Sequence, residues 1–147
     1  MNGKPSITGP VPQGQYQPAK RQGDWVFTSG MTPRRGGILT MQGPVSAGRP
    51  LSDYQSAVVL ACTNAVEAIQ GLLAGGETIG GVLSMTVFIA GDSDFQAHSR
   101  LADFASEYLF ATLGQAGIGA RAAVGVATLP GNAPVEIQLI AAVTRAG

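Results

Sequence analysis

Charge is scarce in this chain. Charged residues make up 12% of its 147 positions, against roughly 25% in an ordinary soluble domain. The nine acidic and nine basic side chains cancel, so no basic excess draws the chain to nucleic acid or to an anionic membrane. Cysteine and histidine occur once each, as Cys62 and His98. That rules out an internal disulfide and a Cys/His metal cluster. No run of 18 apolar residues spans a bilayer, and the opening MNGKPSITGPVPQG lacks the basic-then-apolar pattern of a secretory leader. The expectation is a cytoplasmic protein of one domain over residues 1–147, with residues 1–14 as an N-terminal arm.

Glycine, with 21 residues, and apolar residues, at 45%, fill the space that charge leaves. Such a chain has little charged surface with which to coat a free-standing globule. Part of its surface is therefore expected to be covered, most simply by copies of itself.

The hydrophobic pattern alternates between strand and helix periods. Tyr16–Arg21 predicts a short strand, Gly23-Asp24 a turn, and Trp25–Gly30 a buried strand rich in β-branched and aromatic residues. Ile38–Gln42 is at most a short edge strand within a Gly/Pro-rich stretch. Ser52 is placed to cap a helix running from Tyr54 to Leu73, whose stripe is Val58, Ala61, Cys62, Ala65, Ile69 and Leu72, with Gly75-Gly76 ending it. Val82–Ala90 predicts a strand, and Asp92-Ser93-Asp94 a cap for a second helix carrying Phe95, Leu101, Phe104, Tyr108 and Leu109 as far as Gly114. Two last strands, Ala120–Leu129 and Val135–Val143, are expected to form a hairpin through Pro130–Pro134. This is an α+β pattern, two helices on one face of a sheet, with the other face left for a subunit contact.

Two charged residues fall inside the apolar strand runs. Arg121 begins one strand and Glu136 the last, where it shares a face with Gln138. A charge beside a core strand is costly unless it is paired. Each is therefore either a solvated strand end or part of a site. In the expected hairpin Arg121 faces Ala142 and Glu136 faces Ala127, an offset of about 20 Å at the usual strand rise. One site using both would lie between subunits.

The segment from Ala120-Arg121-Ala122-Ala123-Val124-Gly125 to Leu129-Pro130, followed by Pro134-Val135-Glu136-Ile137, resembles the C-terminal signature of the Rid family. These are YjgF-type proteins related to reactive intermediate/imine deaminase A, which also carry the label endoribonuclease L-PSP. The fifteen-residue Arg-to-Glu spacing matches, supported by Gly14-Gln15-Tyr16-Gln17-Pro18, Phe27-Thr28-Ser29-Gly30 and Met85–Ile89. The resemblance implies a chorismate-mutase-like fold assembled as a homotrimer, with clefts between subunits and neither metal nor organic cofactor. It implies hydrolysis of small enamines or imines bearing a carboxylate to keto acids and ammonia. Carried over, Arg121 holds the substrate carboxylate and Glu136 positions water or moves protons. Tyr16 closes the pocket, Ser29 and Gly30 line it, and Ala123 offers its backbone N–H.

The chain departs from the deaminase pattern at several points. Ala122 and Ala123 stand where Ser and Cys often follow the arginine, Met31 where Gln often follows Ser-Gly, and Ser99 where Asn is usual. These changes motivate a second reading, non-catalytic binding of small carboxylate metabolites in the same cleft. A third, ribonuclease activity, rests only on the family label. Zero net charge and the lack of a basic, aromatic-interleaved stripe argue against it.

The remaining signals are read as structural. Cys62 lies on the helix stripe as a core residue, and His98 is placed on the surface. Arg34-Arg35 is a solvated pair or part of a loop over the cleft. Ser29 has no partner histidine at a usable spacing. Gly36-Gly37 is a flexible turn rather than a phosphate cradle, because Ile38-Leu39 follows instead of Lys-Ser/Thr.

Overall fold

The computed structural model describes residues 9–146. Most of the expected arm, residues 1–8, lies outside them, and residues 9–14 form no strand. The elements are β1 (Ala19–Gln22), β2 (Trp25–Thr28), β3 (Arg34–Arg35), β4 (Ile38–Leu39), α1 (Gln55–Gln70), β5 (Glu77–Ile89), α2 (His98–Leu113), β6 (Ala120–Gly125) and β7 (Val135–Arg145). Five strands form one mixed sheet in the order β1-β2-β7-β5-β6, and β3-β4 stands apart as a two-stranded ribbon turning at Gly36-Gly37. Both helices contact this sheet and each other. Among the described residues no helix is long and apolar enough to cross a membrane.

The alternation of side chains explains why one face is dry. Val135, Ile137, Leu139, Ala141 and Val143 of β7 and Met85, Val87 and Ile89 of β5 are buried, meeting the Val58, Ala61, Cys62, Ala65 and Ile69 stripe of α1. Fully burying one such large aliphatic side chain contributes about 1.5–3 kcal/mol. Burial also pushes the Cys62 thiol up to about 12, in keeping with its place in the core. Tyr54 is fully buried as well, its hydroxyl accepting the Ser46 N–H at 2.8 Å.

The opposite face carries no helix. Trp25, expected in a buried strand, is 55% exposed and Phe27 40%, while Val26 and Thr28 between them are buried. The strand alternates because it is covered on one side only. Trp25 and Phe27 stack with ring centroids 6.4 Å apart, and Val124 on β6 lies on the same open face at 39% exposure.

The expected hairpin does not form. β6 stops at Gly125 and pairs parallel with β5, Met85 opposite Arg121, whereas β7 pairs antiparallel with the other edge of β5, Phe88 opposite Glu136. The turn chemistry is still present: Gly131 and Asn132 both have positive φ, 67° and 64°. They sit inside a longer connection that wraps the end of β5, where Val126 N–H reaches the Ile89 carbonyl at 2.9 Å and Ala90 N–H the Pro134 carbonyl at 3.0 Å. Two strands flanking a turn pair only if nothing lies between them, and here β5 does.

The expected caps also differ. Ser52 lies within a 3-10 turn, Leu51–Tyr54, that precedes α1, and neither helix has a side-chain cap bond. Asp92 instead builds the turn before α2, accepting Asp94 N–H and Ala47 N–H, each at 3.1 Å. α1 ends at Gln70, which leaves Leu72 outside its stripe and 38% exposed. α2 stops at Gly114, where φ is 65°.

One end of the sheet is tied by an ion network. Glu77, with 5% of its side chain exposed, meets Arg21 at 2.6 Å and Arg145 at 2.9 Å and also accepts Ala74 N–H at 2.7 Å. Asp24 joins both arginines. The hydrogen bonds from Arg21 and Ala74, with the two positive charges, hold the Glu77 carboxyl at about 2 instead of 4.5. A depressed carboxyl stabilises the fold fully above its unfolded value and loses that contribution as pH falls toward the folded one. Urea unfolding should show wild type more stable than Glu77→Gln by a constant margin above about pH 4.5, shrinking between there and about pH 2. A margin independent of acid would disprove the assignment.

Candidate active site

Glu136 projects from β7 onto the helix-free face, half-buried, with no hydrogen-bond or ion-pair partner among the described residues. Gly30 lies directly against it. A methyl group added at Gly30 would collide with the carboxylate Oε2, and it would fall 2.5 Å from Cδ. Only a residue without Cβ lets the chain pass this closely. The position is locked by Met31, whose N–H and carbonyl pair with Ile137 at 2.7 and 2.8 Å, and by Thr28, whose hydroxyl accepts Leu139 N–H at 2.9 Å. Burial raises the Glu136 carboxyl above its ordinary 4.5, favouring the protonated form.

Ser29 and Tyr16 belong to the same region. Ser29 donates its hydroxyl to the Gln17 carbonyl at 2.6 Å and its N–H to Pro18 at 2.9 Å, which anchors the segment carrying Tyr16. Tyr16 is 47% exposed and accepts Gln13 N–H at 2.9 Å through its hydroxyl. With Gly30, Arg34, Arg35 and Asn64 it lines a cavity of about 360 Å³. Asn64 is buried and donates to the Thr32 and Arg34 carbonyls at 3.2 and 2.9 Å, fixing the cavity wall. Arg34 is not a solvated loop residue; it reaches Thr32 Oγ1 at 3.1 Å and the Gly37 carbonyl at 3.2 Å, while Arg35 is exposed.

Arg121 sits elsewhere. It shares the helix-covered face with Met85, on the edge strand β6, and α2 takes hold of its guanidinium. Nη1 donates to Asp103 Oδ1 at 2.8 Å and Ser106 Oγ at 3.0 Å, and Nη2 to Ser99 Oγ at 2.8 Å and the Ser99 carbonyl at 3.2 Å. A smaller cavity of about 220 Å³ opens beside it, between Met85, Ser106 and Gly119. Ala123 is two residues along the same strand face and packs partly against the core. His98 is half-buried, edge-on to Phe95 at 5.0 Å, with Nε2 2.8 Å from where a Cβ on Gly125 would lie.

Gly30 thus touches Glu136 and shares a cavity with Tyr16, whose segment Ser29 anchors; Glu136 and Ser29 do not line that cavity, and Arg121 and Ala123 form a second group. Within one chain Arg121 and Glu136 lie on opposite faces with β5 between them. Arg121 and Glu136 pair with residues three apart on β5, which sets their backbones about 14 Å apart from strand rise and spacing. They do stay apart in one chain, but because of the intervening strand and not a hairpin offset. Asp103 and Ser106 were not foreseen from sequence. Their one signal is the 99, 103, 106 spacing, which puts three polar side chains on one helix face. Among the described residues no group of three His, Cys, Asp or Glu side chains is placed to hold a metal ion.

The family described as endoribonuclease L-PSP matches residues 6–143. The chain belongs to this family, the YjgF-type proteins. The L-PSP match extends over both groups of site residues. Among curated proteins, Protein TCP17 of Trypanosoma cruzi is 30% identical over 118 residues, covering 78% of this chain and 72% of its own. The Atu1372 protein of Agrobacterium tumefaciens superposes with a TM-score of 0.81 at 30% identity, over 94% of this chain and 86% of its own. Escherichia coli TdcF, solved with bound serine, gives 0.67 at 26% identity over 91% and 92%. The E. coli YjgF product, at 24% identity and a TM-score of 0.66 over 91% and 92%, shares the fold. That fold is the chorismate-mutase-like α+β arrangement of two helices on one face of a mixed sheet.

The Gly30–Glu136 contact has a measurable consequence. In Gly30→Ala the methyl group displaces the flexible carboxylate toward solvent, at little cost in unfolding free energy. Carbon-detected NMR titration should then find the Glu136 carboxyl back near the ordinary carboxylate range. A carboxyl as elevated in the variant as in wild type would overturn this account of the site.

Proposed function

We propose that this L-PSP family protein hydrolyses small enamines or imines bearing a carboxylate, at clefts between subunits of a homotrimer. The observation that carries the reading is Glu136, a half-buried carboxyl of raised proton affinity with no partner among the described residues, held against Gly30. A group of this kind is suited to moving a proton between water and an iminium carbon that is already electrophilic. Arg121 supplies the carboxylate anchor from another copy of the chain, since one chain keeps Arg121 and Glu136 on opposite faces. The serine in TdcF, a carboxylate-bearing α-amino acid, agrees with an anchor of this type in a related fold. Tyr16, Ser29 and Gly30 line the cleft, and Ala123 contributes backbone only. The reaction needs orientation and one proton carrier more than it needs a metal.

The surface supports this assembly. The open face carries exposed Trp25, Phe27 and Val124 beside the unpaired edge of β6, the kind of surface and edge that other chains pair with. Light scattering should give three times the chain mass. Trp25→Glu should shift the population to monomers and remove activity with it; a trimer untouched by this change would place the contact elsewhere.

The activity is tested by ammonia and keto-acid release from freshly generated 2-aminoacrylate. Arg121→Ala should lower kcat/KM by at least about 100-fold, the scale of removing a charged, bidentate anchor. In wild type the acid limb of the pH profile should be raised relative to an ordinary glutamate, because burial raises the Glu136 carboxyl. That limb should vanish in Glu136→Gln. No turnover of several imino acids by pure wild type would sink the reading. The second reading, non-catalytic binding of carboxylate metabolites, draws on Ala123, which has neither hydroxyl nor thiol and packs into the core. Calorimetry showing Arg121-dependent keto-acid binding without turnover would favour it.

A further inference from the structure

The guanidinium that the proposed function assigns to substrate already has a carboxylate on it. Asp103 meets Nη1 of Arg121 at 2.8 Å. Ser99, Asp103 and Ser106 stand at i, i+4 and i+7 along α2 and so form one ladder under the arginine. Between them they engage both terminal nitrogens, and Nε–H is the donor left without an acceptor among the described residues. The Arg121 side chain is 22% exposed and that of Asp103 53%. The pair is therefore reachable from solvent and its charges sum to zero.

A carboxylate ligand approaching this pair can take Nε–H and share the Nη2 edge with Ser99. It meets the hydrogen-bonding fork of an arginine but not its unopposed charge. Asp103 repels a net-negative ligand nearly as much as Arg121 attracts it. A ligand that also carries a positive nitrogen has no net charge and escapes most of that repulsion. We propose that Asp103 is a specificity-determining residue of this anchor. It makes the site select carboxylates that also carry a positive nitrogen, α-amino or α-imino acids, over keto acids of the same size.

This inference rests on the deaminase reading and sharpens it, because the hydrolysis changes the ligand's charge. An iminium carboxylate of no net charge takes up one water. The C–N bond breaks and a C=O bond forms, leaving a keto acid of charge −1 and an ammonium ion of charge +1. Asp103 thus favours the substrate and disfavours the organic product at the same arginine, which speeds product departure without weakening substrate capture.

The test compares 2-ketobutyrate with L-2-aminobutyrate, which share a carbon skeleton, by calorimetry on wild type and Asp103→Asn. Asparagine is isosteric, the position is exposed, and Ser99 and Ser106 still hold Arg121. Removing the charge should tighten 2-ketobutyrate by about three-fold, the effect of one unit charge some 6 Å away in a largely aqueous setting. L-2-aminobutyrate should bind no better, or more weakly. The keto-acid gain should shrink at high salt, as a charge effect does and a packing effect does not. Asp103→Ser should repeat the direction. Equal changes for both ligands, or none, would overturn the role of Asp103 while leaving the anchor intact. Failure of both ligands to bind any of these proteins would overturn the carboxylate anchor itself, and the Asp103 proposal with it.

Discussion

Strand β5 is hydrogen-bonded along both edges, parallel to β6 on one side and antiparallel to β7 on the other. Every candidate site residue on these strands takes its face from that register. Side chains alternate along a strand, so a slip of one residue would exchange the buried and open sets. In the observed register Met85 is beside Arg121 under α2, and Phe88 is beside Glu136 on the open face. The register itself is held by burial, because the Met85, Val87, Ile89 row and the Val135–Val143 row must both meet the helices. The hydrophobic core and the placement of the two charged residues are thus one constraint.

Local features were legible in the sequence to the extent that local forces decide them. The three- and four-residue spacing of Val58, Ala61, Cys62, Ala65 and Ile69 located α1, and Gly114 marked the end of α2 at a backbone angle that favours glycine. The Gly131-Asn132 turn was real too. What could not be read was whether the strands beside it would pair, since pairing is decided by a strand some forty residues earlier. Val126 and Pro134 bind the end of β5 instead, and no residue between them announces this. Helix starts were misread for a related reason. Asp92 serves a turn and the distant Ala47 N–H where a cap was expected, as short polar side chains satisfy whichever backbone donor lies nearest.

Arg121 and Glu136 were legible as charges within apolar strand runs, and the other candidate residues only through resemblance. That Gly30 touches Glu136 depends on β2 lying beside β7, a contact across more than a hundred residues. That α2 holds Arg121 depends on the crossover from β5 to β6. The scarcity of charge carried more information. Among the described residues the ion pairs join Arg21, Asp24, Glu77 and Arg145 at one end of the sheet, Asp103 and Arg121 at its edge, and Arg49 with Asp53 before α1. Each of these charges has a partner within its own chain. Glu136 has none.

That contrast separates the two charged groups by task. A guanidinium fixed by Asp103, Ser99 and Ser106 has lost its side-chain freedom before any ligand arrives, so ordering it adds little cost to binding. It is a rigid anchor whose charge is already balanced. Glu136 is the reverse case: unpartnered, half removed from water and shifted toward its neutral form. The environment that makes its charge expensive also brings its proton affinity nearer to the range where a proton can be given or taken. A pair of partnered charges in both places would build a stable sheet edge with little chemistry, and a pair of unpartnered ones would destabilise it. One of each is compatible with both the fold and a reaction, provided a second chain carries the anchor to the carboxyl.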